Sequence, residues 1–150
     1  MMTYIPAVTR LAFAVLVLSQ TAPQRPTAAD AMATAEAKWL ANKPAVYEFS
    51  IDLTTFGPNP GTPPAFRVTN GTPARVKPAN PPRADDYSSF DTIEELFASL
   101  KPYATRDSWK FNVQYHAQFG FPVSADLDGG RYFTHDELAF KVSGFKVVRK

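Results

Sequence analysis

Apolar and polar positions along this chain follow two periods, and the switches between them mark out the elements. Asp30 is a good helix N-cap, and the alanine-rich stretch 31–41 predicts a first helix. Ala33, Ala37 and Leu40 are spaced for its apolar face with Trp39 flanking it, and Asn42-Lys43-Pro44 stops it. Over 46–55 the period becomes two. Tyr47, Phe49, Ile51 and Leu53 alternate with Glu48, Ser50, Asp52 and Thr54, a strand with one apolar and one wet face. Residues 66–69 and 72–76 flank Asn70-Gly71, the strongest short hairpin signal. Asn70-Gly71-Thr72 also fits a glycosylation acceptor. The turn accounts for the same residues, and Pro73 crowds the acceptor.

The second helix is the clearest element. Thr92 to Glu95 spells a capping box, with Asp91 or Thr92 as the cap. Ile93, Leu96, Phe97 and Leu100 follow at helical spacing on one face. Glu94 and Glu95 in the first turn and Lys101 near the end suit the helix dipole, and Pro102 ends the helix. Alternation returns over 109–115, with Trp109, Phe111, Val113 and Tyr115 on one face. Gly120-Phe121-Pro122 bends the chain, 123–127 resumes it, and Asp128-Gly129-Gly130 forms a turn. The last strand is 138–148, where Gly144 marks a bulge that re-aims Phe145 and Val147. The fold class is α+β: an antiparallel sheet of four to five strands with two helices packed on one face.

The N-terminus breaks this pattern. Arg10 is the only charge in the first 24 residues, and Leu11 to Leu18 is an unbroken apolar run followed by small polar residues. That is the layout of a secretory signal, and it is far shorter than the roughly 20 residues a membrane span needs. A buried N-terminal strand is the alternative. Thr27-Ala28-Ala29 offers small residues for cleavage but lies far from the apolar run, while Ser19-Gln20-Thr21 is closer and less well matched. The expected organisation is a signal peptide and extended leader over 1–29 and one domain over 30–150. That domain carries a proline-rich insertion at 57–83, which holds 8 of the 14 prolines. Localisation is expected to be secreted or periplasmic, with no membrane span after cleavage.

Composition narrows the chemistry. The 150 residues are 45% hydrophobic and 20% charged, as in a globular domain. Cysteine is absent, which excludes disulfides, cysteine-ligated zinc or iron–sulfur, a thiol nucleophile and a lipid anchor on cysteine. The net charge of +2 belongs largely to the leader: removing Arg10 and Arg25 leaves 14 basic residues against 14 acidic. That withdraws the electrostatic case for nucleic acid or anionic membrane.

The C-terminal half carries Thr92-Ile93-Glu94-Glu95-Leu96-Phe97, Tyr115-His116, Gly120-Phe121-Pro122 and Asp126. Asp136-Glu137 follows, with Phe140, Val142 and Phe145. In order and spacing this resembles an uncharacterised family of bacterial secreted proteins and lipoproteins, domain of unknown function 6174. Trp39, Tyr47 and Phe49 fit the start of the same domain, so the similarity covers most of 31–148. The resemblance implies a secreted or cell-envelope α+β domain with no established activity or ligand. Many relatives carry cysteines that this chain lacks, so neither a lipid anchor nor a redox role carries over.

Candidate sites follow from the scarce chemistry. His116 and His135 are the only histidines, and with Asp136 they are the candidate acid–base residues. Catalytic zinc needs a third protein ligand, and no helical His-Glu-x-x-His spacing is present, so no metal or other cofactor is expected. Asp126 and Asp128 are weak calcium candidates. Gly130 and Arg131 depart from an EF-hand loop, and a two-aspartate turn explains the pair. The serines lie in no nucleophile elbow. Tyr115, Phe119, Phe121, Tyr132 and Phe133 fall in or beside turns, where exposed aromatics mark partner surfaces. The expectation is a non-catalytic exported domain binding a protein or envelope partner through these rings. The alternative is an envelope hydrolase or lyase using a histidine and an aspartate.

Overall fold

The computed structural model describes residues 25–54, 62–77, 87, 89–106, 110–128 and 137–149. Helix α1 (Ala28–Asn42) leads into strands β1 (Val46–Leu53), β2 (Ala65–Thr69) and β3 (Thr72–Lys77). Helix α2 (Ile93–Ala104) leads into β4 (Lys110–Tyr115), β5 (Pro122–Asp128) and β6 (Leu138–Val147). The strands form one antiparallel sheet in the order β3-β2-β1-β6-β5-β4. It has six strands, not four to five. The short β2–β3 hairpin and all three C-terminal segments join it, because β1 offers one edge to β2 and the other to β6.

Both helices lie on one sheet face. On α2, Ile93, Leu96, Phe97 and Leu100 are fully buried, as their spacing predicts. Each such side chain contributes about 1.5–3 kcal/mol of transfer free energy. Thr92 accepts from the Glu95 amide at 3.1 Å and starts the helix. Pro102 does not end it: α2 runs on to Ala104. The amide that proline lacks would have paired with the carbonyl of Ala98, which lies on the exposed side where water can take its place.

The first helix is capped earlier and turned differently from the expectation. Thr27, not Asp30, is the N-cap, and the two close a reciprocal box. The buried face is Met32, Ala35 and Trp39, while Leu40 is 55% exposed. Alanines at 31, 33, 35 and 37 carry almost no preference for a face, so the largest side chain, Trp39, sets the rotation. It sits edge-on to Tyr47 at 5.2 Å and to Phe121 at 5.9 Å.

Glycine shapes the sheet at a turn and at a bulge. At the hairpin tip Asn70 (φ 50°) and Gly71 (φ 82°) are both left-handed, as a two-residue turn between right-twisted strands requires. In β6 the register jumps from Glu48 opposite Lys146 to Ser50 opposite Ser143, a bulge at Gly144 (φ 62°). The bulge swings Phe145 inward against Phe121, centroids 4.4 Å apart. Pro73 is tolerated in β3 because that strand is the sheet edge.

Candidate functional site

The bend between β4 and β5 brings together the most chemistry. The carbonyl of His116 accepts from the Gly120 amide at 2.8 Å, and the amide of His116 donates to the Phe121 carbonyl at 2.7 Å. Nδ1 of His116 accepts from the amides of Gln118 and Phe119, each at 3.2 Å. The imidazole lies on Phe121 and beside Phe119, with Phe145 beyond. Lys38 of α1 donates to the Ala117 carbonyl and ties the bend to the helix.

Among the expected binding rings, Phe121 is 1% exposed and belongs to the core. Its neighbours in sequence suggest a turn, but the bend folds its ring under α1. Phe119 is half-buried against Phe145 at 5.2 Å. Tyr115 is half-buried and stacked on Phe97 at 6.4 Å. Among the described residues the buried Tyr115 hydroxyl has no hydrogen-bond partner, and burial pushes its pKa up to about 12. Tyr132, Phe133, His135 and Asp136 lie outside the described residues.

Asp126 and Asp128 share the helix-free face of the sheet, and a lysine stands over them. Lys110 donates to Asp126 at 2.6 Å, and with the charge of Asp128 this raises the lysine's pKa. Lys110 thus already pairs with one of the two carboxylates offered for calcium. Among the described residues no three His, Asp or Glu side chains gather into a metal-holding group. None of their helices is long and apolar enough to cross a membrane.

Two polar clusters were not singled out from the sequence. The first joins α1, β1 and α2. Tyr47 Oη accepts from the Ile93 amide at 3.3 Å and donates to Glu94 at 3.2 Å, while Lys43 donates to Glu94 at 3.0 Å. Burial alone pushes the Glu94 carboxyl up, yet hydrogen bonds from Lys43 and the residue's own amide bring it below its ordinary value. Burial, chiefly, raises the Tyr47 hydroxyl. Trp39 Nε1 faces this carboxylate without reaching hydrogen-bond geometry. The dipole reading of Glu94 was incomplete, because only the fold brings Tyr47 and Lys43 to it.

The second cluster lies on the helix-free face. Glu48, on β1, is 9% exposed although it belongs to the wet face. Arg67 Nε on β2 donates to its Oε1 at 2.6 Å, and Lys146 on β6 pairs with its Oε2 at 2.6 Å. Hydrogen bonds from Lys146 and then Arg67 hold the carboxyl below its usual value. Around this clamp the face carries small hydroxyl side chains, Ser50 opposite Ser143 and Ser124 opposite Lys141. Asn112 and Gln114 extend it to the β4 edge. Alternation alone could have located the face, but not the three-strand clamp.

No curated protein and no solved structure matches this chain. A family profile matches residues 31–147, from the end of the first turn of α1 to the end of β6. On that match the chain belongs to the family of unknown function DUF6174.

Proposed function

We propose that this chain is an exported, non-catalytic domain that binds a protein or a component of the cell envelope through the helix-free face of its sheet. One observation carries this reading: both helices cover the same face, and among the described residues none covers the opposite face of the six-stranded sheet. Such a face can simply be solvated. Here, however, it holds a nearly buried carboxylate clamped by two cations whose side chains are 50% and 64% exposed. Those cations are exposed enough to offer donors to a partner, and Ser50, Ser124 and Ser143 lie between them and Lys141 on the same face.

The export part rests on Arg10, the Leu11 to Leu18 run and the small residues after it. The non-catalytic part is supported by His116, whose Nδ1 serves two backbone amides and whose ring is wedged among phenylalanines. Both described hydrogen bonds of that ring are donated to it by backbone amides.

The test is positional. A photo-crosslinking residue at Ser143, on the open face, is compared in living cells with one at Ala98, on the exposed side of α2. A discrete adduct from Ser143 and none from Ala98 is the expected outcome. Adducts from Ala98 alone, or none from either position, would remove the sheet face as the working surface.

A further inference from the structure

The tip of the β2–β3 hairpin holds two neighbouring residues that can react with each other. The strand ladder closes with Thr69 opposite Thr72, so Asn70 and Gly71 stand outside it. Both are exposed. A Cβ at Gly71 would meet nothing within 4 Å, so nothing crowds the residue that follows Asn70. Among the described residues no hydrogen bond holds the Asn70 side chain. Its backbone amide is tied, donating to the Ala45 carbonyl at 2.7 Å.

The other asparagines are placed differently. Asn59 and Asn80 each precede proline, whose nitrogen carries no hydrogen to give up. Asn42 precedes Lys43 and its side chain donates to the Lys38 carbonyl at 2.8 Å. Asn112 precedes the branched Val113 and is held within the ladder opposite Asp126. Of the five asparagines Asn70 alone precedes glycine.

We propose that Asn70 is a site of self-modification, converting to aspartate and isoaspartate by attack of the Gly71 amide nitrogen on its side chain. The nitrogen gives its proton to solvent base and bonds to Cγ of Asn70. The Cγ–Nδ2 bond breaks and ammonia leaves, closing a five-membered succinimide. Water then opens the ring. Attack at Cγ restores the ordinary main chain as aspartate, and attack at the Asn70 main-chain carbonyl leaves Gly71 joined through Cγ as isoaspartate. One water is consumed, one ammonia is released, and nothing is oxidised or reduced.

The attack requires Asn70 to rotate about its Cα–C bond, and the pair's position beyond the last ladder partners puts that rotation outside the strand pairing. Isoaspartate adds a methylene to the main chain and a free carboxylate beside it. The tip now closes with two left-handed residues, at φ 50° and 82°, a geometry that depends on two ordinary residues between the strands. The longer backbone breaks that match, and β3, the sheet edge, is the strand it loosens first. None of this rests on what the open sheet face binds.

The experiment holds the purified full chain in mildly alkaline buffer at body temperature and follows its intact mass. Tryptic peptide 68–75, released by cuts after Arg67 and Arg75, locates the change. The expected result is the mass gain of an amide turned to a carboxyl in that peptide. It should divide into two forms, of which a protease cutting before aspartate cleaves one. Asn70→Asp should show no gain. Gly71→Ala keeps the asparagine, crowds the attacking nitrogen and should lose most of the gain. No gain in the folded chain, even where a urea-unfolded sample converts, overturns the proposal. So does a gain that maps to another asparagine or persists undiminished in Gly71→Ala.

Discussion

The imidazole of His116 lies nearly flat on the ring of Phe121, centroids 4.7 Å apart and planes 19° from parallel. Its Nδ1 at the same time accepts the two amides that close the bend. One side chain thus serves as packing and as a turn cap, and two substitutions separate the roles. His116→Phe keeps a ring and loses the acceptor, with a cost of about 1 kcal/mol. His116→Asn keeps an acceptor and loses the stack, with a cost of about 1 kcal/mol. Urea midpoints measure both. Wild-type stability in His116→Phe would mean that the cap contributes nothing.

Gly120 and Gly71 have almost the same φ, 83° and 82°, but different surroundings. A Cβ at Gly120 would stand 2.4 Å from the Ala35 carbonyl oxygen and 2.9 Å from Lys38 Cβ, whereas one at Gly71 meets nothing within 4 Å. Gly71→Ala should cost about 1 kcal/mol of backbone strain. Gly120→Ala should cost roughly 3–5 kcal/mol, since the bend must lift off α1 as well. Equal losses in a thermal melt would contradict this close approach.

Tyr47 and Tyr115 should respond oppositely to loss of the hydroxyl. Tyr47→Phe strands the buried Ile93 amide and removes a donor to Glu94, for a loss of about 1–2 kcal/mol. Tyr115→Phe removes a buried oxygen that has no partner among the described residues, so it should be neutral or stabilise by up to about 1 kcal/mol. Guanidinium unfolding of the two variants gives the comparison directly, and a destabilised Tyr115→Phe would contradict it.

The Glu48 clamp should appear in the acid limb of the stability curve. Its carboxyl sits below the ordinary 4.5 in the folded chain. The contribution is therefore fully present above that ordinary value and is lost as pH falls through the folded one. Because both cations are half or more exposed, the effect is on the order of 1 kcal/mol. Glu48→Gln should flatten the decline in stability between about pH 5 and pH 3. A variant with the wild-type slope would show that the clamp does not titrate with unfolding.

Local pattern carried much of this fold. α2, the Asn70-Gly71 hairpin, β1 and the Gly144 bulge are all legible because each depends on neighbours within a few residues. The rotation of α1 was not legible, since alternate alanines leave the face to Trp39 and its distant partners. Pro102 read as a stop because a missing amide is visible in sequence, while the solvent exposure of the carbonyl it abandons is not.

What the sequence determined by itself is the two helices, the α+β class with an antiparallel sheet and the family, because periodicity, caps and turn residues act over short distances. Only the tertiary structure decided the pairing of β1 with β6, about ninety residues apart, and with it the six-stranded sheet. The same pairing closes the Glu48 clamp between β2 and β6, and the bulge beside it sends Phe145 into the core with Phe121. Such contacts arise from burying apolar area between segments remote in the chain, and no local spacing encodes which remote segment arrives.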